Sequence, residues 1–178
     1  MFGVGPAHAK VLIAGEIPGD QEDREGVPFV GPAGKLLDAA LAAAGIDRSA
    51  VYLTNVVKHF KWKRVGKSPR RIHQKPSASE IAACRPWLDA EIGRVKPRVL
   101  VCLGSTAAQA LLGRAFRVTE QRGVPVESAL APLVIATVHP ASVLRAPDSA
   151  ARRIAEREFF DDIAVIGKYI RREVGKAK

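Results

Sequence analysis

A chain of 178 residues with 47% hydrophobic side chains is long enough for one domain with a buried core, residues 1–178. Its two cysteines, Cys84 and Cys102, exclude a disulfide scaffold and indicate a reducing compartment such as the cytoplasm. No apolar run is long enough to predict a membrane span. The net charge of +10 is consistent either with a polyanionic partner or with a merely well-solvated basic surface.

Four short, continuously apolar runs are typical of buried strands in a parallel sheet that is covered on both faces. They occupy residues 10–15, 51–57, 98–104 and 133–139, and residues 124–127 are a candidate minor strand. Helical patterns separate them at residues 32–44, 77–95, 105–112 and 148–174. This alternation predicts a three-layer α/β/α domain around a central, mostly parallel four-stranded sheet.

Two of the helical patterns carry further detail. Ser77 and Glu80 have the spacing of a capping box at the start of the second helix. The last pattern predicts an inner face that is formed by five apolar side chains: Ile154, Phe159, Ile163, Ile166 and Ile170.

Polar side chains follow three of the predicted strands at their carboxyl ends, where a parallel sheet of this kind binds its ligand. They are Glu16, Asp20, Asp23, Asn55, His139, Ser142 and Arg145. Residues 58–75 add a segment rich in Lys and Arg, without acids, in which Phe60 and Trp62 are interleaved. Such a segment suits phosphate contacts combined with base stacking.

Four motifs together resemble the iron–sulfur uracil-DNA glycosylases over nearly the whole chain. They lie at residues 15–23, 28–34, 55–58 and 139–145. The Arg70-Arg71-Ile72-His73 run resembles the loop of the UdgX-type members, which also have a histidine where this chain has His59. Ile17 and Pro69 depart from that subgroup's pattern.

The resemblance implies an enzyme that binds uracil-containing DNA, single- or double-stranded, as a monomer. It would excise the base and become joined to the sugar through His73. It implies further site residues, for which we expect catalytic roles (Glu16, His139, Asp20), uracil contacts (Ile17, Phe29, Asn55, Asp23) and DNA contacts (Lys67, Arg70, Arg71, Ser142, Arg145). The family also carries a 4Fe-4S cluster, but only His59 and Cys84 match its four ligand positions, and two ligands cannot hold the cluster in the family's way.

The chemistry of these residue types fits the implied roles, and each has a simpler alternative. Phe29 is either a stacking face for a flipped base or a core side chain. The Asn55 amide can match uracil O4 and N3–H together, or can cap a strand end. His139 can donate to uracil O2 or be a structural histidine, and His73 can attack the sugar or be an exposed loop residue.

Two other functions remain open at this point. A hydrolytic glycosylase would use water, oriented by Glu16 or Asp20, and would turn over. A non-catalytic DNA-binding module would bind DNA in a salt-sensitive way without preferring uracil.

Overall fold

The computed structural model describes residues 1–66 and 70–176. Its main sheet has the order β2-β1-β5-β7-β6, with β6 antiparallel and the other neighbours parallel. The strands are β1 (Val11–Gly15), β2 (Val51–Asn55), β5 (Val99–Leu103), β6 (Pro125–Val126) and β7 (Leu133–Thr137). A separate antiparallel hairpin pairs β3 (Trp62–Lys63) with β4 (Ile72–His73).

Seven α-helices and a short 3₁₀ helix (Arg48–Ala50) accompany the strands in the described part of the chain. The α-helices are named in chain order. They are α1 (Asp20–Glu25), α2 (Pro32–Ala43), α3 (Ala78–Val95), α4 (Ser105–Leu112), α5 (Val118–Gln121), α6 (Pro140–Leu144) and α7 (Ser149–Lys176). Leu12 and Ala14 of β1 belong to the core cluster that contains apolar residues of α3 and α4. Val11 and Ile13 belong to the opposite cluster, with α2, α6 and α7. The strand's two-residue period thus divides the core into two layers, which confirms the α/β/α prediction.

The sheet differs from the prediction in two respects. It has five strands instead of four, because the candidate segment at 124–127 contributes β6 at one edge. Two strands also end two residues earlier than predicted: the second ends at Asn55 instead of residue 57, and the fourth, β7, ends at Thr137 instead of residue 139. The N–H groups of Val56 and Val57 still donate to the carbonyls of Gly15 and Glu16. These bonds keep the residues that follow Asn55 beside the end of β1.

The helices confirm the capping box at Ser77 and most of the predicted inner face of α7. Phe159, Ile163 and Ile166 are fully buried, but Ile154 is 61% exposed and its prediction was wrong. Ile154 precedes Phe159 by five residues, about 140° away from it around a helix of 3.6 residues per turn, so it leaves the inner face. Within the described residues no helix is both long and apolar enough to cross a membrane.

Candidate active site

A cavity of about 240 Å³ lies beyond the carboxyl ends of β1 and β2, beside the start of α6. Its lining is formed by Glu16, Ile17, Pro18, Gly19, Glu22, Phe29, Ala33, Asn55, His73, His139, Ala141 and Arg145. The structure thereby brings together six of the residues with predicted catalytic or base-binding roles, from five separate parts of the chain. Pockets for drug-sized ligands typically measure roughly 300–1,000 Å³, so this cavity suits a smaller group.

The Phe29 ring forms an apolar wall of the cavity and is 5% exposed. Its backbone has φ 57°, a left-handed conformation that costs a bulky residue about 1–3 kcal/mol. Two polar side chains stabilise this conformation through hydrogen bonds to the main chain of the Phe29 loop. Glu22 Oε1 accepts the Gly31 N–H at 2.9 Å, and Arg48 Nη2 donates to the carbonyl oxygens of Pro28 at 3.3 Å and Phe29 at 3.1 Å.

Glycines let Phe29 and Asn55 approach the same point. A Cβ on Gly15 would lie 2.5 Å from Asn55 Oδ1 and 2.7 Å from the Phe29 ring, and a Cβ on Gly34 would lie 1.8 Å from the Phe29 carbonyl oxygen. Neither position has room for a side chain. The buried Asn55 amide and the Phe29 ring therefore meet over the end of β1, where both face the cavity.

His139 is the N-cap of α6, and the cap fixes its tautomer. Its Nδ1 accepts the Ala141 N–H at 3.1 Å, so the ring proton of the neutral form is on Nε2. Burial, and then electrostatic interaction with Arg145 and with His73, lower the pKa of His139 to about 4. The ring stacks near Phe29, with 6.2 Å between centroids. His139 therefore offers the cavity a neutral N–H donor at neutral pH.

We expect this histidine to stay neutral down to about pH 4. In the unfolded chain it takes up a proton near its ordinary pKa of about 6.5, so the unfolded state binds more protons between these values. The His139 contribution to stability is therefore complete above pH 6.5 and is lost as the pH falls towards 4. Two-dimensional ¹⁵N NMR of the imidazoles should show an unprotonated Nδ1 at pH 5.5, and His139→Asn should reduce the fall in melting temperature between pH 6.5 and 4.5. An imidazolium signal for His139 at pH 6 would contradict the expectation.

His73 reaches the cavity from the β3–β4 hairpin, where it pairs with Trp62. It is exposed, and its ring centroid is 6.4 Å from that of Phe60. The neighbouring Arg71 fastens the hairpin to α1: its Nε donates to an Asp20 carboxylate oxygen and its Nη1 to Asp23 Oδ2 at 2.6 Å. The same guanidinium lies 5.1 Å from the Phe60 ring centroid and 5.5 Å from that of Trp62. We call these contacts the Arg71 clamp.

Asp20 and Asp23 do not line the cavity, in contrast to their predicted roles as catalytic and base-binding residues. Both are partners in the Arg71 clamp, and Asp20 also accepts from Arg24 at 2.9 Å. The hydrogen bonds from Arg24 and Arg71 hold the pKa of Asp20 below its ordinary value. A carboxylate engaged in this way is a poor proton acceptor, so Glu16 is the better placed of the two predicted acids.

The predicted DNA contacts have different environments. Arg145 lies at the edge of the cavity, and Ser142 Oγ donates to the His139 carbonyl at 2.6 Å. Arg70 is exposed beside the Arg71 clamp, and the Arg71 guanidinium is engaged by the carboxylates of Asp20 and Asp23. Lys67 and Pro69 lie outside the described residues.

The sequence prediction missed Glu22, which lines the cavity and accepts the Gly31 N–H. Nothing local distinguishes Glu22 from the other acids of its segment.

The residues present do not fit a four-iron cluster. His59 is exposed, with Nε2 3.8 Å from Glu80 Oε1, while the buried Cys84 Sγ accepts the Lys58 N–H at 3.4 Å. Across residues 1–66 and 70–176, no group of three or more His, Cys, Asp or Glu side chains is arranged to hold a metal ion. Cys102 is fully buried, and burial raises the pKa of its thiol to about 12, as expected of an inert core cysteine.

Comparison with known proteins agrees with this geometry. The model of the uracil-DNA glycosylase superfamily matches residues 2–164. The Type-4 uracil-DNA glycosylase of Thermotoga maritima is 36% identical over 174 residues, 97% of this chain and 84% of that protein. The Type-4 enzymes of Pyrobaculum aerophilum (38% over 152 residues, 82% of this chain and 73% of the relative) and Archaeoglobus fulgidus (34% over 180 residues, 93% and 79%) are also similar.

Proposed function

The chain belongs to the uracil-DNA glycosylase superfamily, and from that premise we propose that it excises uracil from DNA. The observation that carries the proposal is the meeting of an aromatic ring, an amide and a neutral imidazole donor in one small cavity. Phe29 stacks on a flipped base, and Asn55 accepts from N3–H while donating to O4. Relatives named as Type-4 uracil-DNA glycosylases support the same substrate.

The bond to be broken joins sugar C1′ to uracil N1, and its electron pair leaves on the base. Negative charge spreads from N1 to O2, where the Nε2–H of His139 stabilises it. The neutral state of His139 is useful here, because it can donate without transferring a full proton. The sugar is left with positive character at C1′ and requires a nucleophile.

We further propose that His73 is this nucleophile. A ring-nitrogen lone pair forms the new bond to C1′, and the ring's N–H proton passes to Glu16, which lines the same cavity. The resulting N-glycosidic bond resists hydrolysis, so each protein molecule acts once. Support comes from the entry of His73 into the cavity on a hairpin that the Arg71 clamp holds against α1. Water attack, oriented by Glu16, is the hydrolytic alternative.

A labelled single-stranded oligonucleotide with one uracil tests both proposals. We expect a heat-stable shifted band on a denaturing gel, and no band when thymine replaces uracil. Alkali-labile abasic sites without a shifted band would leave uracil excision intact and contradict the covalent step. No band and no abasic site, in a protein whose circular dichroism is that of a folded α/β domain, would contradict both.

Arg71→Met should separate the two steps. The substitution keeps a long side chain but removes the ion pairs to Asp20 and Asp23, so the hairpin is less firmly held. Misplacement of His73 should slow adduct formation by about 10–100-fold, while base release persists and abasic product accumulates. Lys63→Met, at an exposed position of the same hairpin, is the matched control for lost charge. Equal losses in the two variants would indicate that Arg71 contributes only positive charge.

A further inference from the structure

Lys58 is a buried cation that the proposed chemistry does not use. Its side chain is 9% exposed, and that of its ion-pair partner Glu91 is 8% exposed. The ammonium nitrogen donates to Glu91 Oε2 at 2.5 Å, to Thr54 Oγ1 at 2.8 Å and to the Asn55 carbonyl oxygen at 2.8 Å. All three ammonium protons are therefore engaged, and one of them holds the peptide of the residue proposed to read the base.

The rest of the network is equally complete. Glu91 accepts the Thr54 hydroxyl at 2.7 Å through Oε2 and the Gly3 N–H at 2.8 Å through Oε1. Burial lowers the pKa of Lys58, and the Glu91 carboxylate opposes that effect. A buried ion pair contributes little to stability when compared with apolar side chains of the same volume. Its presence beside Asn55 calls for an explanation other than stability.

The position of Asn55 in the sheet provides one. β2 is the outer strand of the main sheet, and Val4 bridges to its free side at Leu53. Asn55, its last residue, pairs with Gly15 of β1 alone. Its peptide therefore has sheet neighbours on one side only. Lys58, three residues further along the chain, provides a second contact by donating to the Asn55 carbonyl oxygen. The Asn55 side chain must donate and accept at once, so the direction in which its main chain presents the side chain decides whether both bonds can form.

We propose that Lys58 and Glu91 are positioning residues that set the orientation of Asn55 and thereby its preference for uracil over cytosine. The inference rests on the proposed function, in which Asn55 reads O4 and N3–H. Cytosine presents an amino donor and a ring acceptor at these positions, so a correctly oriented Asn55 matches uracil only. A loosened Asn55 can turn to match either base.

The test is a double-mutant cycle on binding, with oligonucleotides whose single 2′-fluoro-deoxyuridine or 2′-fluoro-deoxycytidine resists cleavage. Fluorescence anisotropy gives the ratio of the two dissociation constants. We expect Lys58→Met to lower this preference for uracil by about tenfold when Asn55 is present and by less than twofold in an Asn55→Ala background. Affinity for the cytosine oligonucleotide should not fall, since the phosphate contacts are kept and a loosened Asn55 can turn to match cytosine. Arg122→Met is the control, because it breaks an ion pair with Asp162 away from Asn55. Any change that it causes in the ratio of the two dissociation constants should be the same whether Asn55 is present or replaced in Asn55→Ala.

The outcomes are distinct. A wild-type protein without preference for uracil would overturn the proposed function and this inference with it. A wild-type preference that survives in Lys58→Met, or an equal loss in both Asn55 backgrounds, would overturn the inference alone. If Lys58→Met fails to fold, as its melting curve would reveal, Lys58→Met/Glu91→Leu replaces the whole pair by apolar groups and is subject to the same criteria. Failure of both variants to fold would mark the pair as structural and also overturn the inference.

Discussion

Replacing His139 with alanine should slow uracil excision by about 10²–10³-fold, which is the cost of removing one preorganised donor to a developing oxyanion. The Nδ1 atom is already occupied by the Ala141 N–H, so Nε2–H is the only polar group that the ring presents to the cavity. Because this donor acts mainly on the charge that develops as the bond breaks, the loss should appear in the single-turnover rate. The DNA concentration that gives half of the maximal rate should change much less than the rate itself.

Alanine also removes the α6 cap, which is worth about 0.5–2 kcal/mol of stability. His139→Asn separates the two effects, because asparagine restores an acceptor for the Ala141 N–H but places no donor where Nε2 lies. We expect His139→Asn to recover the melting temperature and to remain slow. His8→Ala, at an exposed histidine that does not line the cavity, is the control for a lost imidazole. Recovery of the rate together with stability would show that His139 acts only through the helix cap.

Replacing His73 with alanine should abolish the heat-stable adduct completely. If water can enter the space left by the imidazole, base release continues and the protein becomes a multiple-turnover enzyme, with Glu16 orienting the water. The measurement pairs a denaturing gel for the adduct with an alkaline-cleavage assay for abasic sites. The change is qualitative, because among the described residues that line the cavity the one other imidazole, that of His139, already has its Nδ1 occupied by the Ala141 N–H.

His59→Ala is the matched control for this second experiment. His59 is exposed and belongs to the same basic segment, but it does not line the cavity. An adduct that persists in His73→Ala and disappears in His59→Ala would transfer the role to His59. Persistence in both variants would eliminate histidine attack from this segment and favour a different side chain.

The sheet and the convergence of Glu16, Asn55 and His139 could be predicted from the sequence because both depend on local patterns. Apolar runs locate the strands, and parallel strands end at a common edge, so the residues that follow them must be neighbours. The acidic segment behaved differently. α1 has six residues and no apolar period, so nothing in its sequence predicts a helix. That helix turns Glu22 towards Gly31, while Asp20 and Asp23 contact Arg71. The sequence of the helix, with four acids among its six residues, does not reveal this division.

Arg71 illustrates the same limit from the opposite side of the site. A run of basic residues predicts phosphate contacts, and charge alone cannot distinguish an arginine that faces DNA from one that closes an internal ion pair. The distinction depends on Asp23, which lies 48 positions earlier in the chain. For Lys58 the partner Glu91 is 33 positions away. Pairings at such separations are set by the packing of helices on the sheet, which sequence patterns do not specify.

The bracing of Phe29 by Glu22 and Arg48 has a thermodynamic consequence. The Phe29 ring is already immobilised in the folded protein, so it loses no rotational freedom when a base binds. The entropy cost of ordering the ring therefore lowers the free energy of unfolding and does not weaken base binding. Ordering of the Phe29 ring should then add no temperature-dependent contribution to the free energy of base binding. Arg48, which approaches the loop from the side of the backbone carbonyls, would govern base affinity without ever contacting nucleic acid. Variation at such a position would tune the enzyme while leaving every base-contacting side chain in place.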